Sequence, residues 1–86
     1  MDLTKTIEMM VSEDYKERFK AEYYQGLIRF NKLKEMIDQW DSGELDFEPT
    51  CPRSIYDMQL NAMSDYISTL EVRASMENIK LEKVEN

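Results

Sequence analysis

Seam positions in the first half of the chain fall at Phe19, Tyr23, Gly26, Phe30, Leu33, Ile37 and Trp40, at intervals of 4, 3, 4, 3, 4 and 3. That alternation keeps one stripe of a helix turned to a single partner, so it predicts a long amphipathic helix over about 13–41. The small member is Gly26. Glycine inside a helix costs about 1 kcal/mol relative to alanine, so its place on the seam implies either close approach by a second helix or ligand, or a flexible point. A second run, Tyr56, Leu60, Met63, Ile67, Leu70 and Ala74, steps by 4, 3, 4, 3 and 4 and predicts a second helix over about 52–76. Two such helices joined by a short loop escape water by folding back on each other. The expected fold is all-α: an antiparallel helical hairpin of two long amphipathic helices with a short N-terminal helix, expected to be homo-oligomeric.

Three divisions follow from the same pattern. Residues 1–11 carry Leu3, Ile7, Met10 and Val11 on one side of a turn and read as a short amphipathic leader, too short to persist alone. Residues 12–76 form the hairpin domain, and 77–86 a C-terminal tail that keeps Ile79, Leu81 and Val84 but loses the seam, leaving frayed helix, swapped arm and disorder all open. Ser12 and Asp14 are both suited to cap the first long helix, and Asp14 with Glu17 has capping-box spacing. Gly43 is suited to the left-handed position that ends it. The loop from Glu44 to Pro52 alternates acidic and apolar residues, with Leu45 and Phe47 expected to tuck inward; Thr50 or Cys51 would cap the second helix, and Pro52 is tolerated in its first turn.

Composition narrows the function. With 18 acidic against 11 basic residues the net charge is −7, a field that repels duplex DNA and anionic membrane surfaces. The chain has one cysteine and no histidine, which removes internal disulfides, zinc clusters and the usual neutral-pH base of nucleophilic catalysis. No enzyme, cofactor or metal site is expected. Glu44, Asp46 and Glu48 lack the glycine and closing glutamate of a calcium loop, and Cys51 beside Pro52 reads as a small residue at a helix start. The absence of a basic, apolar leader and of any run of about 20 apolar residues points to an intracellular location, neither exported nor embedded.

Candidate binding chemistry lies on the helices. Gln59, Tyr66 and Arg73 recur every seven residues and form a polar row along one edge of the second seam. The row either hydrogen-bonds across the hairpin or lines a groove. Tyr23, Tyr24, Arg29 and Lys34 supply stacking and cationic groups suited to a small anion such as a nucleotide. Off the first seam, Tyr24 and Ile28 add a second apolar surface that, with Met10, reads as an oligomer interface; Met9 and Met58 are also uncommitted.

The succession Tyr15-Lys16-Glu17-Arg18-Phe19-Lys20-Ala21-Glu22-Tyr23, Lys32-Leu33, Leu45-Asp46-Phe47, Cys51-Pro52, Gln59-Leu60-Asn61-Ala62-Met63-Ser64-Asp65-Tyr66 and Leu70-Glu71-Val72-Arg73 resembles a family of small proteins of unassigned role from crAss-like and other tailed phages. Gly26-Leu27-Ile28 departs from it, replacing a charged helical stretch. The second helix is also similar, through its proline-led start, Tyr66 and Arg73, to the helical hairpin of phage anti-CBASS and anti-Thoeris sponge proteins. The first resemblance implies a phage accessory protein in the host cytoplasm, and the second suggests one that counters host defence by sequestering a cyclic nucleotide between subunits, with Tyr66 and Arg73 carried over as ligand contacts; the residue chemistry above adds Tyr23, Arg29 and Gln59 as candidate contacts. The alternative is a homo-oligomeric interaction module that blocks or bridges a host or virion protein.

Overall fold

A computed structural model describes residues 1–82 of the chain. A 3-10 turn, Leu3–Thr6, runs into the single-turn helix α1, Ile7–Met10; two long helices follow, α2 at Tyr15–Ser42 and α3 at Arg53–Met76. The all-helical expectation holds, and the long helices begin and end within about two residues of where the periodicity placed them.

Local chemistry explains the ends. Asp14 is the N-cap of α2, its carboxylate accepting from the Lys16 N–H at 2.9 Å. Ser12 completes the cap in place of the expected Glu17: its hydroxyl accepts from the Asp14 N–H at 3.0 Å, while Glu17 reaches forward to Lys20 Nζ at 3.4 Å. Both long helices stop in the same way, with a residue in the left-handed region and the next N–H turned back to a carbonyl five residues earlier. In α2 these are Gly43, at φ 78°, and the Glu44 N–H on Gln39 O at 2.9 Å. In α3 they are Asn78, at φ 58°, and the Ile79 N–H on Ala74 O at 2.8 Å. The start of α3 corrects an expectation: Pro52 itself is the N-cap, in extended backbone with no side-chain cap bond, and neither Thr50 nor Cys51 takes that role. In the loop, Leu45 is half-buried but Phe47 is exposed, against the expectation that both turn inward.

The two seams face each other in antiparallel register. Tyr15 meets Glu77, Tyr23 meets Glu71, Gly26 lies opposite Ile67, and Trp40 and Asp41 meet Tyr56 and Arg53. At Gly26 a Cβ would stand 4.0 Å from Ile67 Cγ1, an ordinary contact, so α3 does come near but glycine is not forced by space. The densest packing is at the open end of the hairpin, where Phe19, Tyr23, Tyr24, Ile67, Leu70, Ala74 and Ile79 form one buried cluster. Each large member stabilises the fold by about 1.5–3 kcal/mol relative to exposure.

A second layer covers the far side of α2. Thr6 is buried, and its hydroxyl donates to Leu3 O at 2.7 Å and accepts from Gln25 Nε2 at 2.9 Å, which fastens the N-terminal segment to α2. Through residue 82 the tail is not helical and folds back on its own chain. Asn78 turns it back, Ile79 enters the core, and the Glu82 N–H donates to the Tyr24 hydroxyl at 2.8 Å. Val84 lies outside the described residues. Tyr24 and Ile28, expected as an interface between copies, are thus buried within the chain; of that trio only Met10 stays exposed.

Candidate functional site

Aromatic and cationic side chains gather in two knots and along one flank of the hairpin. At the loop end, Arg53 stacks over the Trp40 ring at 5.6 Å, pairs with Asp41 across the hairpin, and bonds Asp57 through Nε at 3.1 Å. Trp40 in turn meets Tyr56 edge-on, with ring centroids 5.9 Å apart. Arg53 holds the Asp41 carboxyl below the usual carboxylate range.

The open end repeats the device. Arg73 stacks over Phe19 at 4.9 Å, its Nε donates to Glu77 Oε2 at 3.1 Å, and its Nη2 donates to the Tyr15 hydroxyl at 2.9 Å. Tyr15 donates onward to Glu77 Oε1 at 2.6 Å. That bond, with Arg73 behind it, depresses the Glu77 carboxyl, and the same carboxylate raises the Tyr15 hydroxyl. Each charge has a partner within this ring, so the knot is a clasp, and its arginine is committed. Neither Tyr15 nor Phe19 was singled out for this from sequence, although Tyr15–Phe19 and Arg73–Glu77 each have the four-residue spacing that brings helical neighbours together.

The five sequence candidates divide. Tyr23 faces inward on the other flank, its hydroxyl donating to Glu71 Oε2 at 2.8 Å, and burial together with that carboxylate pushes its pKa up to about 12. Arg73 is in the clasp. Gln59 and Tyr66 are exposed on α3. Arg29 is exposed on α2 and, alone of the four arginines, makes no hydrogen bond or ion pair among the described residues; Arg18 donates to Ser12 O at 2.8 Å.

Helical phase places four of the five on one flank. Tyr15 and Arg73 touch across the hairpin and so mark that flank on both helices. Tyr66 and Gln59 lie seven and fourteen residues before Arg73, and Arg29 fourteen after Tyr15, spacings that return to nearly the same side of a helix. Because Gly26 faces Ile67, the antiparallel register sets Arg29 near the level of Tyr66. Beside Arg29 opens a cavity of about 320 Å³ walled by Leu3, Thr6, Ile7 and Met10 from the N-terminal segment and by Gln25 from α2. No periodicity in the sequence announces this cavity, because its walls come from two segments that meet only in the fold.

Among the described residues no cluster of three or more acidic or cysteine side chains is placed to hold a metal ion, and no helix is long and apolar enough to cross a membrane. No curated protein and no solved structure gives a significant match to the chain. A family model described as Sequestin matches residues 13–76, which is the span of α2, the loop and α3. The chain belongs to the Sequestin family. The family's name speaks of sequestration, a binding role rather than a catalytic one.

Proposed function

We propose that this Sequestin protein is a stoichiometric trap for a small anionic ligand, of the cyclic nucleotide class, and that in a phage-infected host cytoplasm it counters defence by removing that signal. The observation that carries this reading is the uncommitted Arg29 guanidinium, set on the same flank and near the same level as the exposed ring of Tyr66. A free guanidinium is suited to phosphate and an exposed phenol ring to a base. Gln59 adds an amide to that flank, and the cavity walled by Leu3, Ile7 and Met10 gives an apolar recess next to the cation. All of Tyr23, Arg29, Gln59, Tyr66 and Arg73 fall inside the residues the family model matches. Tyr23 belongs to the opposite flank and Arg73 to the clasp, and the direct contacts are assigned to Arg29, Gln59 and Tyr66.

Titration of a panel of cyclic di- and trinucleotides tests this by calorimetry and by thermal midpoint, because a ligand of the folded state adds about 2.7 kcal/mol of stability at a hundred times its Kd. At least one member is expected to bind, and Arg29→Ala is expected to weaken it tenfold or more while Arg18→Ala leaves it unchanged. A panel that moves neither heat nor midpoint removes the reading.

A second reading has its own observation. Ile7, Met10 and Val11 are exposed together at the N-terminal segment, an apolar patch on an acidic chain, which suits an interaction module that blocks or bridges a basic host or virion protein. Loss of a captured partner on Val11→Asp, with nucleotides inert, favours it.

A further inference from the structure

The cavity of about 320 Å³ between the N-terminal segment and α2 has Leu3, Ile7 and Met10 as apolar walls and Arg29 at one side. One polar side chain in it, Gln25, has its orientation fixed by a chain of hydrogen bonds. The Thr6 hydroxyl has a single proton, which goes to Leu3 O at 2.7 Å, a carbonyl that can only accept. Thr6 is 1% exposed, so water offers that proton no other acceptor. Toward Gln25, 2.9 Å away, the hydroxyl can therefore only accept, and the amide must turn its nitrogen to it.

The same nitrogen reaches Met10 Sδ at 3.6 Å, so both amide protons have a taker. Oε1 of Gln25 is left as an acceptor that receives no bond among the described residues. It is also reachable from outside, because no side-chain oxygen or nitrogen among the described residues is both sealed from solvent and unpartnered.

We infer that this recess is a base pocket that selects an exocyclic amine, with Gln25 setting the choice and Thr6 holding Gln25 in place. The amine of adenine, cytosine or guanine donates to Oε1. A carbonyl in the same position, as in hypoxanthine, sets oxygen against oxygen, and a site built for a donor rejects the analogue that lacks it. The walls suit a flat ring, with the faces against aliphatic side chains and the edge at the Met10 sulfur. With a phosphate on Arg29 and one ring on Tyr66, a cyclic di- or trinucleotide has a further ring to place, and the recess adjoins the guanidinium.

The assignment rests on the trapping of a nucleotide for its phosphate, and the base contact stands apart from it. Leu3, Thr6, Ile7 and Met10 all precede residue 13, where the family match begins. The base preference is thus set in large part by a segment outside the matched span.

Nucleosides carry the base without the phosphate, which separates the two ideas. In methyl NMR of the full chain, millimolar adenosine is expected to shift the Ile7 and Met10 signals saturably, and inosine to bind about tenfold more weakly, the cost of one mismatched polar contact. Gln25→Leu is expected to bring adenosine down to the level of inosine. Thr6→Val frees the amide to present either end and is expected to shrink the preference to about twofold. Should Thr6→Val unseat the N-terminal segment, loss of the Overhauser contacts between Ile7 and α2 reports it, and Gln25→Leu decides. Adenosine that moves neither methyl, inosine that binds as tightly, or a preference that survives Gln25→Leu each overturns the inference. Adenosine that binds while the cyclic nucleotide panel is silent removes the trap and leaves the base pocket; nucleotides that bind through Arg29 without an amine preference do the reverse.

Discussion

The two ends of the hairpin are built from the same parts and do different jobs. At each, an arginine of α3 stacks on an aromatic ring of α2 and pairs with an acid four residues further along its own helix: Arg53 with Trp40 and Asp57, Arg73 with Phe19 and Glu77. At the loop end the ring beneath is half-buried and the knot stands in water. At the open end the ring is that of Phe19, 2% exposed, and the N-terminal segment and tail close over the neighbouring core. The lesson is that an exposed ion pair and ring contact contributes little by itself, and that the same contact over a packed core marks where the stability of the fold is concentrated.

The sharpest way to break this comparison is to truncate both rings. Phe19→Ala is expected to destabilise by about 3–5 kcal/mol, as removal of a buried aromatic does, whereas Trp40→Ala, with less surface to lose, is expected to cost roughly 2 kcal/mol. Chemical denaturation of the two variants checks it, and equal losses would mean that the two ends are packed alike.

A smaller contrast sits in the helix stops. Gly43→Ala puts a methyl where nothing lies within 4 Å, so its cost is that of the left-handed backbone alone, about 1 kcal/mol. Asn78 already bears a Cβ in that region, so Asn78→Ala gives up only asparagine's milder preference for it and is expected to cost less than Gly43→Ala. If the melts of the two variants coincide, the cost of the stop does not lie in the Cβ.

The smallest effect is in acid. Glu77 and Asp41 both have depressed carboxyl pKa values in the fold, so their contributions are present above the ordinary carboxylate pKa and are lost as pH falls through the folded value. Thermal midpoints are therefore expected to drop below about pH 4, and Glu77→Gln and Asp41→Asn should each flatten that limb. The flattening should be greater for Glu77, whose side chain is 34% exposed against 55% for Asp41. An acid limb untouched by either change would show that the knots are not ionised as drawn.

Much of the architecture was legible before folding. Both seams, the Asp14 cap and the Gly43 stop are local: a period of three and four, a carboxylate one residue ahead of a helix, a glycine after the last turn. The candidate flank was legible in part, since Gln59, Tyr66 and Arg73 share a face by spacing alone. Tyr23 belongs to the other flank because it is four residues from Phe19 and turns toward Glu71, and no one-dimensional reading assigns a seam residue to a left or right edge. Of the interface expected at Tyr24, Ile28 and Met10, the first two are buried within the chain for a related reason. A second apolar stripe on α2 says that something covers it, and in the fold the chain's own ends cover Tyr24 and Ile28.

Periodicity by itself therefore determined that two helices form and which stripe of each meets the other, because a heptad is written into every turn and needs no distant information. Only the tertiary structure decided which remaining surfaces stay open: that α2 is roofed by two segments too short to hold shape alone, that α3 is bare along Ile55 to Tyr66, and that Arg29 is free where Arg53 and Arg73 are bound. Those outcomes depend on contacts between residues as far apart as Tyr24 and Glu82, and a side chain's partner across such a distance is fixed by packing, which a local pattern does not encode.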